Sequence, residues 1–184
     1  MNRRRHWGYP VLLAGLPAAL LASFGAVGAL DVPLLTDPSP ALGQPGPASA
    51  AVGVALLLTD VAIPVPSSLV MVAHGALFGV IPGTLLSLLG GLGATLVAFG
   101  IGRRGRGLLA RTTTPAQRAR AEALLARYGL IAVLITRPIP VLAETVALLA
   151  GTANLGWCRV ALASTAGVLP VALLYAVAGA TAAA

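Results

Sequence analysis

The chain has 184 residues, 58% of them hydrophobic and 9% charged, with a mean hydropathy of +0.93. A soluble domain carries about 25% charged residues, so this chain could not clothe a globule in polar surface, and a polytopic membrane protein is the class that remains. The net charge of +7 comes from Arg alone. Those Arg residues cluster at the ends of apolar runs, where they act as topology signals rather than as a nucleic-acid patch. The single Cys158 excludes an intrachain disulfide.

In chain order, Arg3, Arg4 and Arg5 precede the apolar run Val11–Leu30, long enough at about 1.5 Å per residue to cross a bilayer. Residues 1–30 therefore read as a basic N-terminus and a first transmembrane helix. A cleaved signal peptide with GAVGA (25–29) as its small-residue site is the alternative. Residues 31–50 are rich in Pro, Gly and Ser, carry two Asp and no Arg, and read as an external loop. Residues 51–101 form a first unit: Ala51–Thr59, Asp60, the IPVPSS of 63–68, Leu69–Val80, and then the longer run Gly83–Ile101. Neither of the two short runs is long enough to cross alone. Residues 102–128 carry Arg103, Arg104, Arg106, Arg111, Arg118, Arg120 and Arg127 against Glu122, which assigns this loop to the cytoplasm. Within it, Pro115–Tyr128 reads as a short surface helix.

Residues 129–184 repeat the order. Gly129–Ile135 is short, TRPIPVLAE (136–144) interrupts, Thr145–Ala150 continues, and Val160–Ala180 is a full span. A shift of 76 residues brings the two units into register: Ile63-Pro64-Val65 falls on Ile139-Pro140-Val141, Val70 on Val146, Gly75 on Gly151, Leu86 on Leu162 and Gly91 on Gly167. Because the first unit ends in the cytoplasm and the second begins there, the repeat is inverted. Each unit is a re-entrant hairpin (about 50–81 and 129–156) followed by a span, an architecture used by many transporters. The fold class expected is an all-α membrane protein with this inverted repeat behind an N-terminal transmembrane helix.

Pro64, Pro66, Pro138 and Pro140 lack a backbone donor and disfavour helix in the residue before them, so the chain unwinds at each hairpin tip. Unwound backbone is tolerated at membrane depth only when buried in protein or lining a wet cavity. Helices restarting near Pro66 and Pro140 would point positive N-termini inward, and such ends bind anions. Arg137 beside one of them completes a candidate phosphate cradle, with Ser67 and Ser68 at the other. Asp60 and Glu144 are the candidate proton-coupling groups, since buried carboxylates can carry protons. The duller reading is that Arg137 pairs with Glu144 or Asp60 only to pin the hairpins, because an intramembrane charge normally needs a partner. His74 reads as a satisfied structural histidine. The Gly series 90, 91, 93, 100 and 102 reads as small-residue helix packing rather than a phosphate loop. The sequence holds no metal cluster, cofactor motif or nucleophile elbow, and Ser67, Ser68 and His74 are not spaced as a nucleophile and its base.

Several of these features occur in one order: D-x-x-x-P-x-P-S at 60–67, Gly93, Gly100, Gly102, Arg103 and Gly105, RYG at 127–129, R-P-x-P at 137–140, AG at 150–151, and Gly167, Tyr175 and Gly179. From about Thr59 to Gly179 the chain resembles the DedA / VTT-domain (SNARE-associated Golgi protein) family of integral membrane proteins. The resemblance implies a re-entrant-hairpin transporter of the bacterial inner membrane. Bacterial relatives are linked to moving undecaprenyl phosphate, often with the proton-motive force, and eukaryotic relatives look like lipid scramblases. The chain departs from the family pattern at Ser68, where many bacterial members carry an acid, and near Ala143, where many carry a second Arg. Glu144 falls on Ser68 under the 76-residue shift. The expectation is a non-enzymatic flippase for a phosphorylated lipid, with proton coupling left open and membrane lipids rather than nucleic acid as partners. An oligomer is compatible with this, and a membrane scaffold with a structural ion pair is the alternative.

The charge distribution fixes a topology that can be measured. A reporter active only outside the cytoplasm should be active when fused after Ala184 and silent when fused within 102–127.

Overall fold

The structure, a computed structural model, describes residues 42–63, 65–105, 107, 127, 128, 131, 133, 140–153 and 155–184, with backbone alone for 140–142, 144 and 145. Among the described residues there are five helices and no strand: α1 Pro47–Thr59, α2 Ser67–Phe78, α3 Val80–Arg104, α4 Pro140–Thr152 and α5 Trp157–Ala182. The expected first transmembrane helix and the expected external loop (31–50) as far as residue 41, most of the Arg-rich loop, and Pro64, Arg137 and Pro138 lie outside the described residues. The last four residues of the external loop, 47–50, are helical rather than irregular.

Local chemistry sets the helix ends. α1 starts four residues before the expected run because Gly46, Pro47 and Ser49 cap it. The Gly46 N–H donates to Ser49 Oγ at 3.0 Å and the Ser49 hydroxyl donates to the Gln44 carbonyl at 2.9 Å, while Pro47 occupies a first-turn position where no N–H is needed. α4 opens on Pro140 in the same way. Between α2 and α3 there is a single residue, Gly79, at φ 80° and ψ 177°. That region is open essentially only to glycine, so the chain turns a corner there without a loop.

α3 and α5, of 25 and 26 residues, are each about 38 Å long at ~1.5 Å per residue. They are long and apolar enough to cross a membrane. α1, α2 and α4 have 12 or 13 residues, about 18–20 Å, well short of the ~30 Å hydrocarbon core. α3 packs against each of the other four helices, and α5 packs against α2 and α3. Pro170 lies inside α5.

Three helix pairs approach until backbone meets backbone. In one, beside the Gly79 corner, a Cβ on Gly83 of α3 would stand 2.7 Å from the His74 carbonyl oxygen of α2. In the second, α2 meets α5. A Cβ on Gly75 of α2 would collide with the Ala176 carbonyl of α5, and one on Gly179 of α5 with the Val72 carbonyl of α2. In the third pair, a Cβ on Gly102 of α3 would strike the Leu148 carbonyl of α4, and one on Gly151 of α4 the Phe99 carbonyl of α3. The glycines that read as packing surfaces lie at such contacts. Gly90 faces Leu57, Gly93 faces Leu58, and Gly91 faces Val168.

Polar side chains are buried among the apolar clusters of the interior, while many large apolar side chains face outward. His74, Ser87, Thr95 and Ser164 are fully buried, whereas Ile81, Leu162 and Leu174 are 74%, 72% and 67% exposed. Such an arrangement belongs in lipid, where exposed apolar side chains carry no penalty and polar groups must be satisfied inside. At the crossing of α3 and α5 the Thr95 hydroxyl donates to the Gly91 carbonyl at 2.8 Å. The Ser164 hydroxyl, 2.8 Å away, then donates to Thr95 Oγ1.

Gly151→Val should push α4 off α3 and cost about 1–3 kcal/mol or more. The readout is a lowered thermal midpoint of the detergent-solubilised protein. Gly156→Val, where a Cβ would meet nothing within 4 Å, should leave the midpoint unchanged.

Candidate functional site

The first Pro-rich break is built around Asp60. The residue caps the C-terminus of α1, its own N–H donating to the Leu56 carbonyl at 3.2 Å. Its carboxylate reaches across the break: Oδ1 accepts from the Val65 N–H at 2.8 Å, and the Ser67 hydroxyl also bonds it. Pro66 is the N-cap of α2, with Ser67 and Ser68 its first two residues. The carboxylate therefore sits where the positive end of the α2 dipole favours a negative charge, between the end of α1 and the start of α2.

The break is not isolated on the surface. Val61, next to Asp60, is buried in a cluster with Ala94 and Ala98 of α3 and Ala147 of α4, with Leu148 packed against it. The tip of the first broken segment thus meets α4 over α3. The meeting point is six to ten residues short of the end of α3 at Arg104, about 9–15 Å along its axis. Glu144 stands one turn before Ala147 on α4, and Pro140 one turn further back.

Of the residues singled out from sequence, Asp60, Pro66 and Ser67 come together in one turn, with Ser68 adjoining. Pro140 and Glu144 lie on α4, their side chains outside the described residues, as are Pro64, Arg137 and Pro138 altogether. His74 differs from expectation. Nδ1 lies 3.0 Å from Ser87 Oγ, but Nε2 is buried without a hydrogen-bond partner, so the ring is satisfied on one side only.

The end of α3 holds a contact that no local pattern announced. Arg103 Nη1 donates to the Leu155 carbonyl at 3.0 Å, in the short link between α4 and α5. Its guanidinium lies 5.7 Å from the Phe99 ring centroid and 6.0 Å from that of Trp157. The two rings meet edge to face at 4.7 Å, and Arg over aromatic faces is a favourable arrangement. One Arg that reads as a topology signal therefore also ties the end of α3 to the start of α5 and to the link that precedes it. Its only sequence signal is its position directly after the Gly102 contact.

Short helices packed against two long apolar ones, with buried polar groups inside and large apolar side chains outward, define a membrane protein that is all-helical among the described residues. A family model for the VTT domain matches residues 65–181, from the residue that bonds Asp60 to the last turn of α5. The chain belongs to the VTT-domain family, that of the DedA and SNARE-associated Golgi proteins. Members are generally transporter-like membrane proteins. No curated protein and no solved structure matches the chain.

Asp60→Ala strands the Val65 N–H and should cost about 1–3 kcal/mol. Asp60→Asn keeps an acceptor oxygen and should recover most of that loss, as read from the thermal midpoints of the two variants.

Proposed function

We propose that this protein moves a phosphorylated lipid, of the undecaprenyl phosphate type, across a bacterial inner membrane. The observation that carries the reading is the meeting of the first break with α4 over α3, at Val61, Ala94, Ala98 and Ala147. α2 begins at a Pro-rich break and α4 opens on Pro140, and a helix N-terminus with free N–H groups is an anion site. α1, α2 and α4 are too short to cross, which supports re-entrant hairpins at 50–81 and 129–156. The reciprocal glycine contacts support the inverted repeat. Gly75 of the first unit docks on the span of the second, while Gly151, its equivalent 76 residues later, docks on the span of the first.

In this reading Arg137, three residues before α4, supplies the charge for the head group. Pro66, the N-cap of α2, and Pro140, the first residue of α4, set where the helices restart rather than lying in an unwound tip, with Pro64 and Pro138 two residues upstream of each. Ser67 and Ser68 offer hydroxyl and N–H donors. Asp60 already occupies the positive end of α2, so an arriving phosphate competes with it there. That competition gives Asp60 a reason to take up a proton as substrate binds, and Glu144 is the second candidate. The scaffold reading keeps one observation on its side: the hydrogen bonds of Asp60 to Val65 and Ser67 would close the same turn without any transport.

Headgroup-specific flipping in proteoliposomes tests the proposal. Arg137→Gln should insert normally and lose most flipping of phosphorylated lipid. Arg137→Lys should restore part of it, because the planar fork that matches phosphate oxygens is missing. Unaltered flipping by a well-inserted Arg137→Gln protein would remove the cradle from consideration. Failure of that variant to accumulate, with rescue by exchanging Arg137 and Glu144, would assign the pair a structural role.

A further inference from the structure

Among the described residues, His74 Nε2 is the buried side-chain polar atom without a hydrogen-bond partner. The ring is fully enclosed at the junction of three helices. Nδ1 faces Ser87 of α3 at 3.0 Å, and Phe78 of its own helix lies edge-on with ring centroids 6.3 Å apart. Nε2 is aimed at α1. A Cβ on Gly53 would fall on Nε2, and it would stand 2.9 Å from Cδ2 and 3.1 Å from Cε1. The imidazole therefore fills the bay that buried Gly53 leaves in α1.

The fit suits a neutral ring. With Nδ1–H donating to Ser87, a neutral imidazole leaves only a lone pair facing Gly53. An imidazolium carries N–H on both nitrogens, and the second would face the bare α-carbon with nothing to accept it. A buried unsatisfied donor is costly, and more so when charged. Among the described residues, no countercharge faces the ring from the elements around it. α1 has no titratable residue, and Asp60 at its end is engaged by Val65 and Ser67. α2 contributes Phe78, and α3 contributes Ser87, with Arg103 and Arg104 at its far end. α5, on the other side of α2, has Tyr175 packed against the cluster of Val70 and Met71, and Arg159 in its first turn.

We propose that His74 is a proton-operated latch for α1. In the neutral state the ring seats Gly53 and holds α1 against α2 and α3. A proton taken from water onto Nε2 makes that seat untenable, and α1 lifts until water can accept from the new N–H. Return of the proton to water reseats it. The movement has a defined fulcrum. Leu57 and Leu58 remain lodged at Gly90 and Gly93, and the Asp60 turn follows them, so the N-terminal half of α1 is the part released.

Hydrogen–deuterium exchange on the full chain in nanodiscs, corrected for intrinsic pH effects, tests the latch. Residues 47–54 should exchange about tenfold faster or more at pH 5 than at pH 8, a factor worth one pH unit of linkage. His74→Gln should remove the difference. A flat wild-type profile, or a difference that persists in His74→Gln, overturns the proposal. If His74→Gln does not fold, 15N-histidine spectra of the His6→Gln protein decide, because His74 is then the sole histidine. Ring charging and faster α1 exchange must share one midpoint; a ring that stays neutral while α1 loosens, or charges while α1 stays protected, overturns it.

Discussion

Backbone groups in hydrocarbon have no water to turn to, and helices there gain nothing from excluding it. Association must come from close van der Waals contact and from hydrogen bonds kept inside. This chain meets that constraint by removing side chains where helices touch. α2 lies on α5 through Gly75 and Gly179, and α4 lies on α3 through Gly102 and Gly151. Each contact joins a short helix that could not stand alone to a long one that can. The placement of the break before α2 and of the start of α4 follows from where those short helices are pinned.

The hydroxyl groups obey the same rule. Thr95 and Ser164 bond to each other rather than to lipid, and Thr59, Thr84, Thr152 and Thr181 return their protons to carbonyls of their own helix turns. Asp60 is the larger case. A carboxylate at a helix junction is held by one N–H and one hydroxyl of the segment that follows, so the charge and the turn define each other.

Much of this was legible in the sequence, for identifiable reasons. Pro66 and Pro140 mark helix starts because their chemistry is local, and Gly75 and Gly151 stand out because the 76-residue shift superposes them. Helix ends were less legible. α1 starts early through a Ser49 side-chain cap, and α3 and α5 run two or three residues further at each end, at their C-termini because the polar Arg103, Arg104 and Thr181 still continue a helix. Contacts between distant positions left no trace. Nothing near Arg103 predicts Leu155, nothing near Val61 predicts Ala147, and His74 reads as satisfied until Gly53 is found opposite its second nitrogen. Those pairings are set by helix packing between segments tens of residues apart.

Pro170 gains its meaning from what lies on either side of it. The first half of α5 belongs to α3, through Ser164 and Val168. The second half belongs to α2, through Ala176 and Gly179. Proline cannot donate to the carbonyl four residues back, at Ala166, so the helix is missing a rung between its two attachments. As a beam, α5 is weakest where its loyalties change. A bending load applied through α2 is absorbed at that joint before it reaches the hydroxyl-bonded crossing with α3. The two ends of one continuous helix can thus tilt by different amounts while neither slides along its neighbour.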